Sequence, residues 1–283
     1  MVGIKVMKTV LVVGLGEVGM SLYEIIDESK KYKVYGLDQM HNLNQKIPDQ
    51  IDIIHICFPY KLDNGFIYSV VNYIFKYKPK LVIINSTVKP KTTYEIFEQC
   101  QCNIAFSPVM GTYTNKEKFK QDIKYFGKFV GGVTDEATKL TVEHFNKVGI
   151  NTIVVKSSLE AEIIKLYCTT YYGLMIALSQ DFHRLSCLAG ADFSNVMEGI
   201  CYLNDKSFTK PPVYPDSITG HCVIQNINIL ENYNLEILKS INKSNEKRKN
   251  EVKNPIIYNE IQKIKCIVDK YWRDFNVKNR KKL

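Results

Sequence analysis

The sequence predicts an α/β fold, in which a doubly wound parallel sheet is followed by an all-helical region built around one long central helix. Three observations lead there. Up to Lys156, short β-rich runs alternate with segments of helical period. Several of those runs are almost continuously apolar, as strands covered by helices on both faces must be. Beyond Lys156 about thirty residues pass without a proline, under a pattern that no strand explains.

Taken in order, the expected strands are "KTVLVVGL", "KVYGLD", "IDIIHICF", "KLVIINST", "NIAFSPV", "KFVGG" and "TIVVK". Between the first and second lies "GLGEVG", which puts Gly14, Gly16 and Gly19 in a strand-to-helix turn. The first glycine makes the tight turn, the second lets backbone amides approach a pyrophosphate, and the third lets the helix pack close to its strand. Alone, such a turn is weak evidence. Here the next strand ends at Asp38, where a carboxylate can accept hydrogen bonds from a ribose diol and would repel a 2′-phosphate. The expectation is a Rossmann-type domain that binds NAD rather than NADP. Lysines ahead of an apolar run at the N-terminus imitate a secretion signal, but the glycines and Glu17 interrupt the run, which reads instead as a buried strand.

One helix before Lys156 is clearly punctuated, with Thr134 as cap, Asp135 and Glu136 in the first turn and Gly149 at its end. The central helix opens on a Ser157 to Glu160 capping box and ends at Gly190, a span of roughly 45 Å at 1.5 Å per residue. It is apolar around most of its circumference, so it needs covers on several sides, a second copy of the chain among them. The last helix starts at Asn254-Pro255 and sets Ile257, Ile261, Ile264, Val268, Trp272 and Phe275 on one face, a packing stripe. The domains expected are 1–156, binding NAD, and 157–283, helical and serving substrate and dimer formation.

The formal net charge of +9 is confined to the tail: from Lys239 onward there are 14 Lys or Arg against 5 Asp or Glu, while the rest of the chain is balanced. Such runs read as solvated helix faces, which disfavours a nucleic-acid partner, although a basic tail would attract an anionic small-molecule substrate. No run reaches the roughly 18 apolar residues of a membrane span. The eight cysteines lack the dense spacing of a secreted disulfide scaffold, so a reducing cytoplasm is expected. His183 and Cys187 lie one helical turn apart and His55 is two residues from Cys57, but no second suitably spaced pair joins either, and no metal site is expected.

In the order "GLGEVG", "IDIIHICFP", "LVIINSTVKPKTT", "EAEIIKLYCTTYYGLMIALSQDFHRLSCLAGADFSNVMEGI" and "GHCVIQN", the chain resembles the UDP-glucose/GDP-mannose 6-dehydrogenase family over roughly residues 8 to 230. The resemblance implies an NAD-dependent oxidation of an alcohol carbon. It implies Cys222 as the nucleophile that captures the aldehyde as a thiohemiacetal, with His221 beside it to lower the thiol pKa. Lys165 would stabilise oxyanion character and Thr87 would stand beside the nicotinamide. The dinucleotide would be lined by Gly14, Gly16, Glu17, Val18 and Gly19, by Asp38, by Phe58 and Pro59, and by Ser86 and Thr87.

Three positions depart from the family pattern. Val109, Met110 and Gly111 stand where an acid is usual, Thr169 replaces an asparagine four residues after the lysine, and Asn226 replaces an aspartate four residues after the cysteine. Only about fifty residues follow the cysteine helix, fewer than a nucleotide-sugar-binding domain needs. Two other readings therefore stand beside the sugar-nucleotide enzyme: a single-step dehydrogenase of small hydroxy acids that uses Lys165, and an NAD-binding protein without catalysis.

Overall fold

A computed structural model describes residues 7–40, 43, 45–60, 65–111, 113–219 and 221–280, and for 221, 222 and 278–280 it describes the backbone alone. The chain divides into two compact units, 1–167 and 168–283.

All seven expected strands form: β1 (Thr9–Val13), β2 (Lys33–Leu37), β3 (Ile53–Ile56), β4 (Leu81–Ile84), β5 (Ile104–Phe106), β6 (Lys128–Gly132) and β7 (Thr152–Val154). They make one sheet in the order β2-β1-β3-β4-β5-β6-β7. The first five run parallel, with Val12 paired to Gly36 on one side and to His55 on the other. One feature corrects the expectation of a parallel sheet: β6 lies antiparallel to β5, with Ala105 opposite Gly132, and β7 is parallel to β6. A strand's side-chain pattern carries its faces but not its direction, which the intervening connection sets.

The helices of the first unit are α1 (Glu17–Glu28), α2 (Gly65–Tyr77), α3 (Thr92–Cys100), α4 (Lys116–Phe126) and α5 (Asp135–Lys147). They cover both sheet faces. Val10, Val12, Ile53, Leu81 and Ile83 pack on Leu22, Ile25, Ile26 and Phe145 on one side. Leu11, Val13, Ile54, Ile56, Val82 and Ile84 pack on Phe66, Val70, Ile74 and Ile96 on the other. Near-continuous apolar strands follow directly, since neither face meets water. The Thr134 cap is made, its Oγ1 accepting from Ala137 N at 3.1 Å, and Gly149 closes α5 at φ +75°.

Helix α6 (Ser158–Ala189) is the long helix, 32 residues in one run. Ser157 Oγ accepts from Leu159 N at 3.2 Å while its hydroxyl bonds the Glu160 carboxylate, and Gly190 ends the helix at φ +73°. The division between the two units falls inside α6. The second unit continues with α7 (Phe193–Ser207), α8 (His221–Leu230), α9 (Glu236–Glu251) and α10 (Pro255–Arg280). In it Ile261, Ile264 and Val268 of α10 are buried, the last two in a cluster with Phe193, Met197 and Cys201 of α7, and Trp272 donates to Pro212 O at 3.1 Å. The other expected members of the stripe, Ile257 and Phe275, are half-buried, Phe275 with its ring against Phe208. Among the described residues, no helix is long and apolar enough to cross a membrane.

Candidate active site

In a parallel sheet, the loops leaving the strands' C-terminal ends converge on one edge, and the expected site residues of the first unit lie there. Gly14 follows β1 at φ +89°, a region costly for any other residue, and a Cβ on it would stand 2.6 Å from Phe58 N. A Cβ on Gly19 would stand 1.7 Å from Gly14 O, so α1 seats against the turn only with glycine there. A Cβ on Gly16 would meet no protein atom within 4 Å; it would fill the open space above the turn instead. Glu17 and Val18 begin α1, and Glu17 is exposed. This cradle fits a dinucleotide pyrophosphate at a helix N-terminus.

Asp38 stands at the end of β2, where its Oδ2 accepts from Leu15 N at 2.6 Å and its Oδ1 from Met40 N at 2.7 Å. The carboxylate is thus fixed beside the turn, placed to receive a ribose diol. Phe58 and Pro59 follow β3, half-buried and exposed respectively. Ser86 follows β4 and donates to Phe58 O at 2.6 Å, which joins the two loops. Thr87 comes next, half-buried, ahead of the fully buried Val88.

The first turns of α6 hold this edge together. Lys165 Nζ donates to Val109 O at 2.8 Å, so a backbone carbonyl of the loop after β5 takes the lysine where the resemblance led to the expectation of an acid. One turn earlier, fully buried Glu162 accepts from Lys91 N at 2.7 Å, from Thr93 N at 2.9 Å and from Thr93 Oγ1 at 2.6 Å. A carboxylate thereby caps the N-terminus of α3 and holds Lys91 in the left-handed region at φ +77°. Burial pushes the Glu162 pKa up, and the three hydrogen bonds oppose that rise. Sequence reasoning passed over Glu162 because its partners lie about seventy residues away. Replacing it by alanine orphans buried donors, and we expect Glu162→Ala to lose about 3 kcal/mol in a denaturant titration.

Lys128, at the start of β6, is also a residue that reading the sequence did not single out. It is fully buried, donating to Ser107 O at 2.6 Å and Asn85 Oδ1 at 3.0 Å, and burial pushes its ammonium down to about 7.

In the second unit, the two substituted positions meet: Asn226 Nδ2 donates to Thr169 Oγ1 at 2.5 Å, and Asn226 is 2% exposed. Neither group is an acid that could activate water. His221 and Cys222 begin α8, but their side chains lie outside the described residues.

His183 and Cys187 gain Glu260 of α10 as a third metal-type donor within 4.8 Å. Both terminal nitrogens of buried Arg248 stand 3.3 Å from His183 Nδ1. Their donation leaves the imidazole proton on Nε2, facing Glu260 Oε2 at 3.3 Å, so a cation would have to displace that proton beside a buried guanidinium.

No protein-family model matches the chain. Among curated proteins, UDP-N-acetyl-D-mannosamine dehydrogenase of Methanococcus vannielii is 26% identical over 261 residues, covering 76% of this chain and 59% of the relative. The Methanococcus aeolicus protein of the same name is 26% identical over 195 residues, 62% of this chain and 43% of its own length. Among solved structures, the UDP-D-ManNAc dehydrogenase of Pyrococcus horikoshii superposes with a TM-score of 0.71 at 19% identity, covering 85% of this chain and 68% of that one.

The similarity is to dehydrogenases of UDP-sugars, in line with the family that the sequence motifs resemble.

The chain spans about three-fifths of the length of the Methanococcus vannielii relative. A 3-hydroxyisobutyrate dehydrogenase of Mycobacterium tuberculosis shares the fold as well, with a TM-score of 0.63 at 11% identity over 88% of this chain and 94% of that one.

Proposed function

We propose that the chain is an NAD-dependent oxidoreductase acting on an alcohol carbon of a sugar nucleotide, the substrate class named for its curated relatives. The observation that carries this reading is the open space over Gly16 with Asp38 fixed beside it, at the same sheet edge as Thr87 and Lys165. NAD, when bound, supplies the hydride acceptor. Gly14, Gly16, Glu17, Val18 and Gly19 hold its pyrophosphate, Asp38 its ribose, and Phe58, Pro59, Ser86 and Thr87 line its path.

Lys165 polarises the substrate oxygen, and its charge favours the alkoxide from which hydride departs. Cys222 adds its thiol to the aldehyde carbon, an assignment that rests on the family motif. We place the NAD-binding function in 1–156 and substrate and dimer functions in 157–283. Exposed Leu178, Phe182, Leu185 and Leu188 on α6 give a second copy an apolar surface to cover. The seven cysteines with described side chains are all free thiols, which suits a reducing cytoplasm.

Counting NADH formed per UDP-N-acetylhexosamine tests the proposal. Two per substrate are expected, and Cys222→Ser is expected to abolish acid formation while NAD titrates with unchanged affinity. One NADH per small hydroxy acid, with no effect of Cys222→Ser, would instead support the single-step reading. That reading is favoured by Asn226, which has no carboxylate to activate water. NAD binding with no turnover on either class would leave a cofactor-binding protein.

A further inference from the structure

At the opposite edge of the sheet, where the strands begin, lies a cavity of about 450 Å³ lined by residues that include Lys8, Tyr32, Lys80, Glu143, His144 and Lys147. Its size falls within the range of metabolite sites, roughly 300–1,000 Å³. What distinguishes it is a buried chain of hydrogen bonds whose direction is fixed. Lys128 Nζ donates to Asn85 Oδ1, and Asn85 Nδ2 donates to Ile83 O at 3.1 Å, so the amide cannot be turned the other way. The same Nδ2 therefore gives its second hydrogen to His55 Nδ1 at 3.2 Å.

Both histidines are neutral, because burial depresses each: His55 falls well below its ordinary value and His144 is pushed down to about 3. With Nδ1 accepting, His55 carries its proton on Nε2 and donates to His144 Nε2 at 2.9 Å. His144 must then carry its own proton on Nδ1. That Nδ1 is buried and has no partner among the described residues, while the ring is 1% exposed at the cavity wall. A buried donor left unpaired costs roughly 1–3 kcal/mol, so an acceptor belongs there.

The charges around it specify what kind. Lys80 is engaged by Asp52 at 2.8 Å, and Asp52 also accepts from Thr9 N at 2.9 Å. Lys147 and Lys8 have no acidic partner among the described residues, and both stand near enough to His144 to oppose its protonation. Glu143, which also lines the cavity, acts on Tyr32, whose hydroxyl is pushed up to about 12 by burial and by that carboxylate.

We propose that this cavity binds a small oxyanion of carboxylate or phosphate type, which accepts from His144 Nδ1–H and is held by the ammonium groups of Lys8 and Lys147. The site is independent of the dinucleotide reading, because it stands at the other edge of the sheet and shares no residue with the glycine turn.

The test is nuclear magnetic resonance of protein carrying ¹⁵N-histidine, without dinucleotide, titrated with inorganic phosphate and separately with malonate at ionic strength held constant with chloride. Before addition, His144 should show the Nδ1–H tautomer. One or both anions should shift that nitrogen saturably, and the tighter of the two identifies the source chemistry. Lys147→Glu, a change on the exposed surface, should weaken binding about tenfold. His144→Phe should abolish it, with circular dichroism confirming the fold. A shift that never saturates, an unchanged affinity in Lys147→Glu, or a signal that neither anion moves would overturn the proposal; the last result would assign the acceptor to an ordered water.

Discussion

Gly16→Ala is expected to fold as the parent does and to lose NAD, whereas Gly19→Ala is expected to lose the fold of the turn itself. The contrast follows from where each new methyl would go. At Gly16 the backbone has φ −69°, which any residue adopts, and the methyl meets no protein atom. It occupies instead the space through which a pyrophosphate reaches the amides at the start of α1. The affinity for NAD should fall about a hundredfold in calorimetry, with an unchanged thermal midpoint. At Gly19 the methyl would lie 1.7 Å from Gly14 O, and because the atom in the way is backbone, α1 must move off β1. Such overpacking costs about 3 kcal/mol, which lowers the thermal midpoint by roughly 10 °C in a chain of this length. Equal midpoints for the two variants would show that α1 does not need that approach.

Lys165→Ala is expected to reduce turnover by about 10³, with a much smaller change in the affinity for NAD, if the lysine stabilises charge that develops only as hydride leaves. Lys165→Arg should recover little, because a planar guanidinium cannot place its charge as a compact ammonium does. The lysine also holds Val109 O, so the thermal midpoint of each variant is measured beside its turnover. Lys165→Met separates the two: a stable fold with turnover as low as the alanine variant assigns the loss to charge. A variant that keeps more than about a tenth of the parent turnover would remove Lys165 from the chemistry.

The strands and the turn were legible because their signals are local. Two-sided burial writes itself into runs such as "IDIIHICF", and Gly14, Gly16, Gly19 and Asp38 need only their own neighbourhood to be read. Caps at Thr134 and Asn254 are local as well. What escaped was set by distance along the chain. The antiparallel placement of β6 depends on the path from Ser107 to Gly127, not on the residues of "KFVGG". Glu162 reads as one more acid near a helix start until α3 arrives to be capped by it. His55 and His144 are 89 residues apart, and nothing in either segment announces the other. The same holds for Thr169 and Asn226, which the sequence presents as two separate departures and the fold presents as one bond.

That bond has a consequence for how such a chain can change over generations. With the amide and the hydroxyl satisfying each other beside a buried Asn226, an apolar residue at either position alone would take that bond from the polar group at the other. The two sites are therefore epistatic. A lineage that exchanged one of the two for an apolar residue would meet an uphill first step, and a paired substitution would be the easier path.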